Sequence, residues 1–234
     1  MSKSERSENV AVTAAALSEF AYQPTVRAEG IDPEKPFGSA SYKHMKGLLM
    51  QRVKPSRYVH SLSVAKTARK LARMYDCDDK MARMAGLLHD WDKALLPEQL
   101  GKRIAHYDIQ VSAETLKEMP WILHGPTAAA VLADEFPEFG EEVYQAIARH
   151  TVGAPAMSKL DMIVFVADKI EPTHEVDEYR CLYDQIGALT LEDLFFEVLK
   201  VGMKYLFEAE KPLNSESAVV WNWYVNNRSE VEGE

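Results

Sequence analysis

The sequence has only two cysteines, Cys77 and Cys181, and they are too far apart to form a CxxC pair. Its first residues also lack the apolar segment of a secretory signal peptide. Small proteins of oxidising compartments usually carry paired cysteines, which are missing here. We therefore expect a protein of the reducing cytoplasm.

Long apolar runs and an excess of positive charge are missing as well. The apolar run at residues 162–167 is far shorter than the roughly 20 residues that a membrane-spanning helix needs. The formal net charge of −9 opposes electrostatic binding to phosphates of nucleic acid. We therefore expect no membrane span and no nucleic acid polymer as partner. The charge is still compatible with a small anionic ligand if a metal ion supplies positive charge.

The pattern of a β-sheet is weak throughout, because no stretch alternates apolar and polar residues between turn signals. Apolar residues instead recur at helical spacing, and prolines and capping residues stand at the helix ends. This predicts an all-α fold with helices at residues 41–53, 56–75, 79–90, 97–107, 113–119, 126–136, 140–150, 158–170, 175–186, 191–210 and 215–227.

The first 40 residues differ from the rest in composition. A polar start is followed by an apolar helix candidate at residues 10–20 and then by a segment rich in proline and glycine. Such composition is typical of loosely attached termini. We expect residues 1–40 to form a flexible N-terminal extension and residues 41–230 to form a folded domain with a substantial core.

Four histidines stand where an apolar helix face or a helix end would direct them inward. His89 shares a helix face with small apolar residues, and Asp90 follows it where the negative end of the helix dipole disfavours a carboxylate without a nearby cation. His60 and His150 also continue apolar faces, and His124 stands just outside the N-terminus of a predicted helix. Any one of these residues alone is more often structural than a ligand, so the argument depends on the set.

Asp168 follows the run 162–167 in a helix that is apolar on every side and therefore predicted to be buried. A buried carboxylate is costly without a positive partner. Lys169 is next in sequence but projects about 100° around the helix, so a metal ion is the better partner. Imidazole and carboxylate donors together suit iron, manganese, zinc or cobalt rather than calcium.

These residues form an ordered pattern that resembles the HD-domain metallophosphohydrolase superfamily. The local sequence resembles one branch, the YqeK-type symmetrical diadenosine tetraphosphatases, over roughly residues 41–206. The segments that carry the resemblance are Arg57-Tyr58-Val59-His60, Leu87-Leu88-His89-Asp90, Leu123-His124-Gly125-Pro126, Arg149-His150-Thr151 and Ala167-Asp168-Lys169-Ile170-Glu171-Pro172.

The resemblance implies an HD-domain helical bundle that binds two metal ions, with iron expected and manganese or cobalt as alternatives. The implied ligands are His60, His89, Asp90 and Asp168 for one ion, and His124, His150 and the bridging Asp90 for the other. The implied activity is hydrolysis of diadenosine tetraphosphate to two molecules of ADP by a metal-bound hydroxide. The partner would then be a small dinucleoside polyphosphate or nucleotide.

Several basic residues are candidates for contact with the substrate. Asp90 and Lys93 are the catalytic candidates. For Lys93, a contact with phosphate and a role as an ordinary solvated surface lysine are equally compatible with the sequence. The candidates for phosphate binding are Lys93, Arg149, Lys169 and Arg180.

Three departures from the branch bear on the substrate. Ala154 and His174 stand where the branch usually has basic residues, and Asp92 replaces a commonly small residue. One alternative is therefore another HD nucleotide hydrolase, acting on a nucleoside monophosphate or a cyclic dinucleotide, although the Gly-Tyr-Pro signature of the latter group is missing. Another is a catalytically weak HD protein that binds a nucleotide as a sensor or scaffold. The sequence does not determine the oligomeric state and is compatible with a homodimer.

Overall fold

A computed structural model describes residues 30–227, and this part of the chain is built from α-helices joined by turns. No β-strand occurs between residues 30 and 227, where Ile186 and Leu189 form an isolated bridge. The predicted all-α class is confirmed. The helices are α1 (Ser39–Arg52), α2 (Pro55–Met74), α3 (Asp79–Leu88), α4 (Pro97–His106), α5 (Ala113–Glu118), α6 (His124–Glu135), α7 (Glu141–Arg149), α8 (Lys159–Ile170), α9 (Asp177–Asp184), α10 (Leu191–Glu208) and α11 (Ser215–Asn227).

The helix ends lie close to those predicted because local signals set them. Pro55 and Pro97 occupy the first positions of α2 and α4, where a missing N–H costs no hydrogen bond. The Asp78 side chain accepts hydrogen bonds from two backbone N–H groups at the start of α3. Ser158 and Asp161 form a capping box at the start of α8. The helix candidate at residues 10–20 lies outside the described residues.

The start of α6 differs from the prediction. A 3-10 helix, Pro120–Leu123, leads directly into α6, so that His124 is the first residue of the helix rather than a residue outside it. Pro126 is consequently the third helical residue. This is tolerated because N–H groups of a first helical turn have no partner within the helix.

Helix α8 lies at the centre of the bundle. It packs against α2, α3, α7 and α10, and its side chains from Leu160 to Ala167 are buried. This agrees with the predicted helix that is apolar on every side. None of the helices between residues 30 and 227 is both long and apolar enough to cross a membrane.

Residues 30–38 belong to the expected extension but contact the folded domain. Ile31 and Phe37 pack against the hydrophobic core, and the ring of Phe37 stacks on Phe139 with centroids 6.0 Å apart. Gly38 is the N-cap of α1. The remaining part of the expected extension, residues 1–29, lies outside the described residues.

Candidate metal centre

The six predicted ligands meet at one end of the bundle, although His60 and Asp168 are 108 residues apart in sequence. Their positions follow from the ends of the helices that carry them. His60 lies on α2, His89 and Asp90 in the turn that ends α3, His124 at the start of α6, His150 directly after α7, and Asp168 in the last turn of α8.

One group of ligand atoms surrounds Asp168 Oδ1 and Asp90 Oδ2. Asp168 Oδ1 lies 3.0 Å from His60 Nε2 and 3.4 Å from His89 Nε2. Asp90 Oδ2 lies 3.3 Å from His89 Nε2 and 3.8 Å from His60 Nε2. Ligand atoms of His60, His89 and Asp168 all lie within 4.8 Å of one another, which is close enough to hold one ion.

A second group surrounds the other oxygen of Asp90. Asp90 Oδ1 lies 3.0 Å from His124 Nε2 and 3.8 Å from His150 Nε2. His89, Asp90 and His150 also offer ligand atoms within 4.8 Å of one another. Asp90 therefore turns one oxygen towards each group, as a bridging ligand would.

Hydrogen bonds at the outer ring nitrogens determine which nitrogen faces the centre. In His89, His124 and His150, Nδ1 lies 2.8, 2.7 and 2.7 Å from the carbonyl oxygen of the residue three positions earlier. A carbonyl oxygen only accepts, so Nδ1 must carry the hydrogen and donate it. In the neutral ring this leaves Nε2 with a lone pair that points into the centre.

These lone pairs converge without hydrogen atoms between them. His124 Nε2 and His150 Nε2 are 3.0 Å apart although each is an acceptor. His89 Nε2 is buried and has no hydrogen-bond partner among residues 30–227. Acceptors do not approach one another in this way without a positive charge to share, so the donor set fits metal ions.

The ionisation of the centre points to the same need for positive charge. Without a metal ion, a proton on His89 meets this need: burial alone would lower the pKa of His89, but the negative charges of Asp90 and Asp168 outweigh burial and raise the pKa to about 10. Burial alone would raise the pKa of Asp90 and Asp168, but the charges of His89 and Lys169, respectively, hold both pKa values well below the usual range. Both carboxylates are ionised at neutral pH, as metal ligands must be.

Lys169 lies closer to the centre than the sequence suggested. Its Nζ donates a hydrogen bond to Asp168 Oδ2 and another, at 3.5 Å, to the carbonyl oxygen of His150. The expectation that Lys169 projects away from Asp168 was wrong, because its long flexible side chain folds back along the helix surface. Asp168 keeps its other oxygen, Oδ1, for the histidines.

Lys93 lies at the rim of the centre. Its Nζ is 3.4 Å from His124 Nε2 and 3.9 Å from Asp90 Oδ1. The side chain is 36% exposed, and burial lowers the pKa of its amine. The amine therefore faces both the candidate ligands and the solvent, unlike a fully solvated surface lysine.

The two predicted arginines make their contacts outside the ligand groups. Arg149 Nη1 donates to Asp161 Oδ2 at 2.7 Å, and Asp161 is fully buried at the start of α8. Arg180 donates to Asp177 Oδ1 at 3.0 Å and to the carbonyl oxygen of His174 at 3.2 Å. Phosphate binding by Arg149 and Arg180 stays a prediction, and it would require release of these contacts.

Three residues in contact with the ligands were not selected from the sequence. Arg57 Nη1 lies 2.9 Å from Asp90 Oδ2, Glu171 Oε1 lies 3.1 Å from His60 Nδ1, and Thr151 Oγ1 lies 3.1 Å from His150 Nε2. Helical spacing was an available signal, since Arg57 stands one turn before His60 and Glu171 one turn after Asp168. Thr151 directly follows His150.

The turn that presents Asp90 is held by a buried ionic cluster. Asp92 is fully buried and accepts hydrogen bonds from Arg52 at 2.9 Å and from Arg103 at 2.9 and 2.8 Å. Arg52 also donates to the carbonyl oxygen of Trp91 at 2.8 Å. The unusual acid at position 92 therefore connects this turn to α1 and α4.

Comparison with known proteins adds to this geometry. Residues 57–173 match the model of the HD domain. A Staphylococcus aureus protein named "Bis(5'-nucleosyl)-tetraphosphatase, symmetrical" is 34% identical over 185 residues, covering 76% of this chain and 92% of its own length. A Bacillus subtilis protein of the same name is 30% identical over 179 residues, covering 75% of this chain and 93% of its own length.

A solved structure is similar to the whole bundle. It is a predicted HD superfamily hydrolase involved in NAD metabolism from Clostridium acetobutylicum. The two structures share a TM-score of 0.74 and 29% sequence identity, covering 82% of this chain and 100% of the Clostridium chain. The overall arrangement of helices is therefore similar to that of a protein described as a predicted HD superfamily hydrolase.

Proposed function

The chain belongs to the HD domain family, and within it to the symmetrical bis(5'-nucleosyl)-tetraphosphatases, and from this premise we propose that it hydrolyses diadenosine tetraphosphate to two molecules of ADP. It is a hydrolase of phosphoric anhydride bonds. The observation that carries the proposal is the complete donor set around Asp90, in a chain that covers 92% of a relative with this name.

We propose that the centre holds two metal ions. His60, His89 and Asp168 would hold one ion with Asp90 Oδ2, and His124 and His150 would hold the other with Asp90 Oδ1. Two such ions supply Lewis-acid chemistry, in which the pKa of water falls and the charge that develops on a phosphoryl oxygen is neutralised. The mixed imidazole and carboxylate donors suit iron, manganese, zinc or cobalt, and among these we propose iron, with manganese or cobalt as alternatives, because the resemblance to the tetraphosphatase branch implies it.

The chain's own residues orient this centre and supply charge at its rim. Asp90 fixes the spacing of the two ligand groups through its two oxygens. Lys93 would donate to a phosphate oxygen from its position beside His124, and Lys169 would do so from the side of Asp168. With fixed positive charge on both sides, a polyphosphate chain can be placed without a protein nucleophile.

We infer that the working environment is the reducing cytoplasm. Cys77 and Cys181, the two cysteines of the chain, both lie in its described part and are unpaired. This supports the inference, because secreted domains of this size commonly pair such residues. The substrate is a small molecule, and the homodimer stays an open prediction.

Product analysis tests the proposal. The purified protein, with added divalent iron, manganese or cobalt, is incubated with diadenosine tetraphosphate, and nucleotides are separated by chromatography. ADP as the sole product is expected. A mixture of ATP and AMP would contradict symmetrical cleavage, and turnover of a nucleoside monophosphate instead would point to another HD nucleotide hydrolase. Nucleotide binding without turnover under all three metals would favour the sensor or scaffold.

A further inference from the structure

Arg57 is the cation in closest contact with the bridging carboxylate. Its Nη1 donates to Asp90 Oδ2 at 2.9 Å, whereas Lys93 Nζ lies 3.9 Å from Oδ1. Arg57 precedes His60 by three residues on α2, so both side chains reach the centre from the same helix face. The two cations consequently stand on opposite oxygens of Asp90, one beside each ligand group.

Most N–H donors of the Arg57 guanidinium make no hydrogen bond to the described part of the chain. Its side chain is 37% exposed, and Asp90 is its only hydrogen-bond partner within residues 30–227. A guanidinium offers five N–H donors in a planar fork, so most of them are left for solvent or a ligand. Arg52, by contrast, bonds both the Trp91 carbonyl and Asp92.

Resting on the proposed function, we propose that Arg57 binds a phosphate group of the substrate on the Asp90 Oδ2 side, opposite the phosphate bound by Lys93. A metal cation on Asp90 Oδ2 would draw on the same negative charge and weaken its hold on Arg57. The fork of the guanidinium matches two oxygens of one phosphate. A substrate with identical halves would thus meet positive charge of the chain on each side of the bond that breaks, from Lys93 on one side and from Arg57 together with Lys169 on the other.

Neutral and conservative variants at this position test the assignment, with a matched control on the same helix. Arg57→Gln should raise the KM for diadenosine tetraphosphate about tenfold to a hundredfold, with a smaller change in kcat, and should weaken inhibition by ADP in parallel. Arg57→Lys should recover part of both effects, because it keeps the charge but loses the fork. The control is Arg73→Gln. Arg73 lies about 24 Å from Arg57 along α2, is exposed and pairs with Asp79, so its replacement should leave KM, kcat and the inhibition by ADP unchanged.

Metal content and ADP binding separate phosphate binding from a role in holding Asp90. The proposal requires that Arg57→Gln keeps the metal content and melting temperature of Arg73→Gln while its affinity for ADP, measured by calorimetry, falls at least tenfold. Loss of metal from Arg57→Gln, or a fall in kcat with unchanged KM and ADP affinity, would overturn it and make Arg57 a positioning residue for Asp90. If the unaltered protein releases no ADP from diadenosine tetraphosphate, the proposed function fails on its own, and the calorimetric comparison with ADP still decides the role of Arg57.

Discussion

At the scale of single residues, Asp90 joins the two halves of the candidate metal centre. It is 1% exposed, and its two oxygens face different pairs of imidazole nitrogens. A carboxylate buried to this extent needs compensating positive charge, and no other acid faces both groups among the residues described. Substitutions at Asp90 and at a ligand of one group alone should therefore differ in their consequences.

Asp90→Ala is expected to lose both metal ions, whereas His124→Ala should mainly weaken the ion held with His150. The reason is that Asp90 contributes an oxygen to each group and His124 contributes to one. Metal analysis of protein purified without chelator measures the outcome, with circular dichroism to check that the helices persist. Retention of two ions per chain by Asp90→Ala would refute the bridging role.

Glu171 should affect the metal centre without touching the metal. It is 1% exposed, and its Oε1 lies 3.1 Å from His60 Nδ1, so it fixes the orientation and the free nitrogen of that ring. The backbone N–H of Thr173 also donates to its Oε2, at 2.8 Å. Hydrogen bonds with His60 and Thr173 outweigh burial and lower the pKa of Glu171 to about 2, so it is ionised in this role.

Glu171→Ala is therefore expected to lower metal affinity at the His60 group by about tenfold to a hundredfold. Glu171→Gln should lose less, because its amide oxygen can still accept from His60 Nδ1. Competition with a chromophoric chelator provides the affinities. Equal metal affinity in the unaltered protein and the alanine variant would show that His60 is oriented by other contacts.

At the scale of secondary structure elements, the close approach of α2 and α3 sets the distance between His60 and His89. Gly86 stands at this contact. A Cβ added to it would lie 3.1 Å from both Ala65 Cα and Ala68 Cβ, and 3.2 Å from the Val64 carbonyl oxygen. Two of these neighbours are backbone atoms of α2, so the helices would have to move apart.

Gly86→Ala is expected to destabilise the fold by about 1–3 kcal/mol, the usual cost of overpacking. It should also weaken metal binding, because α2 carries His60 and α3 ends at His89. Gly47→Ala in α1 is the matched control, since no atom beyond its chain neighbours and the backbone of its own helix lies within 4 Å of the added Cβ. That control should gain about 0.5–1 kcal/mol from the lower backbone entropy of alanine. Chemical denaturation of both variants measures these effects, and unchanged stability of Gly86→Ala would contradict the tight contact.

At the scale of the whole molecule, the chain brings together residues from α2 to α8 at one end of the bundle. The central helix α8 allows this, because α2, α3 and α7 all pack around it. Residues 30–38 add a further contact through Phe37 and Phe139, and none of these residues is a proposed ligand. Their contribution should therefore be to stability rather than to chemistry.

Two truncations separate these contributions. Removal of residues 1–29 should leave metal content and turnover unchanged, because every proposed ligand lies at residue 60 or later. Removal of residues 1–38 should lower the stability by about 1–3 kcal/mol through loss of the Ile31 and Phe37 contacts, while metal content is retained. Thermal unfolding and turnover of diadenosine tetraphosphate give the readout. Loss of turnover in the shorter truncation, with the fold intact, would show that residues 1–29 act at the site.

The sequence by itself determined the helices and the chemistry of the ligand set. Helix positions were predictable because apolar spacing, prolines and capping residues such as Ser158 act within a few residues of one another. The inward direction of His60, His89 and His150 followed from the same spacing. The start of α6 was the exception, because a 3-10 helix joined it directly and moved His124 into the helix.

Only the tertiary structure decided which charged residues reach the centre. Arg149 is adjacent to His150 yet turns to Asp161, whereas Lys169 folds back onto Asp168. Arg57 contacts Asp90 although 33 residues separate them. Long side chains have many rotamers of similar energy, so their partners depend on how helices distant in sequence pack, and that packing is not contained in any local pattern.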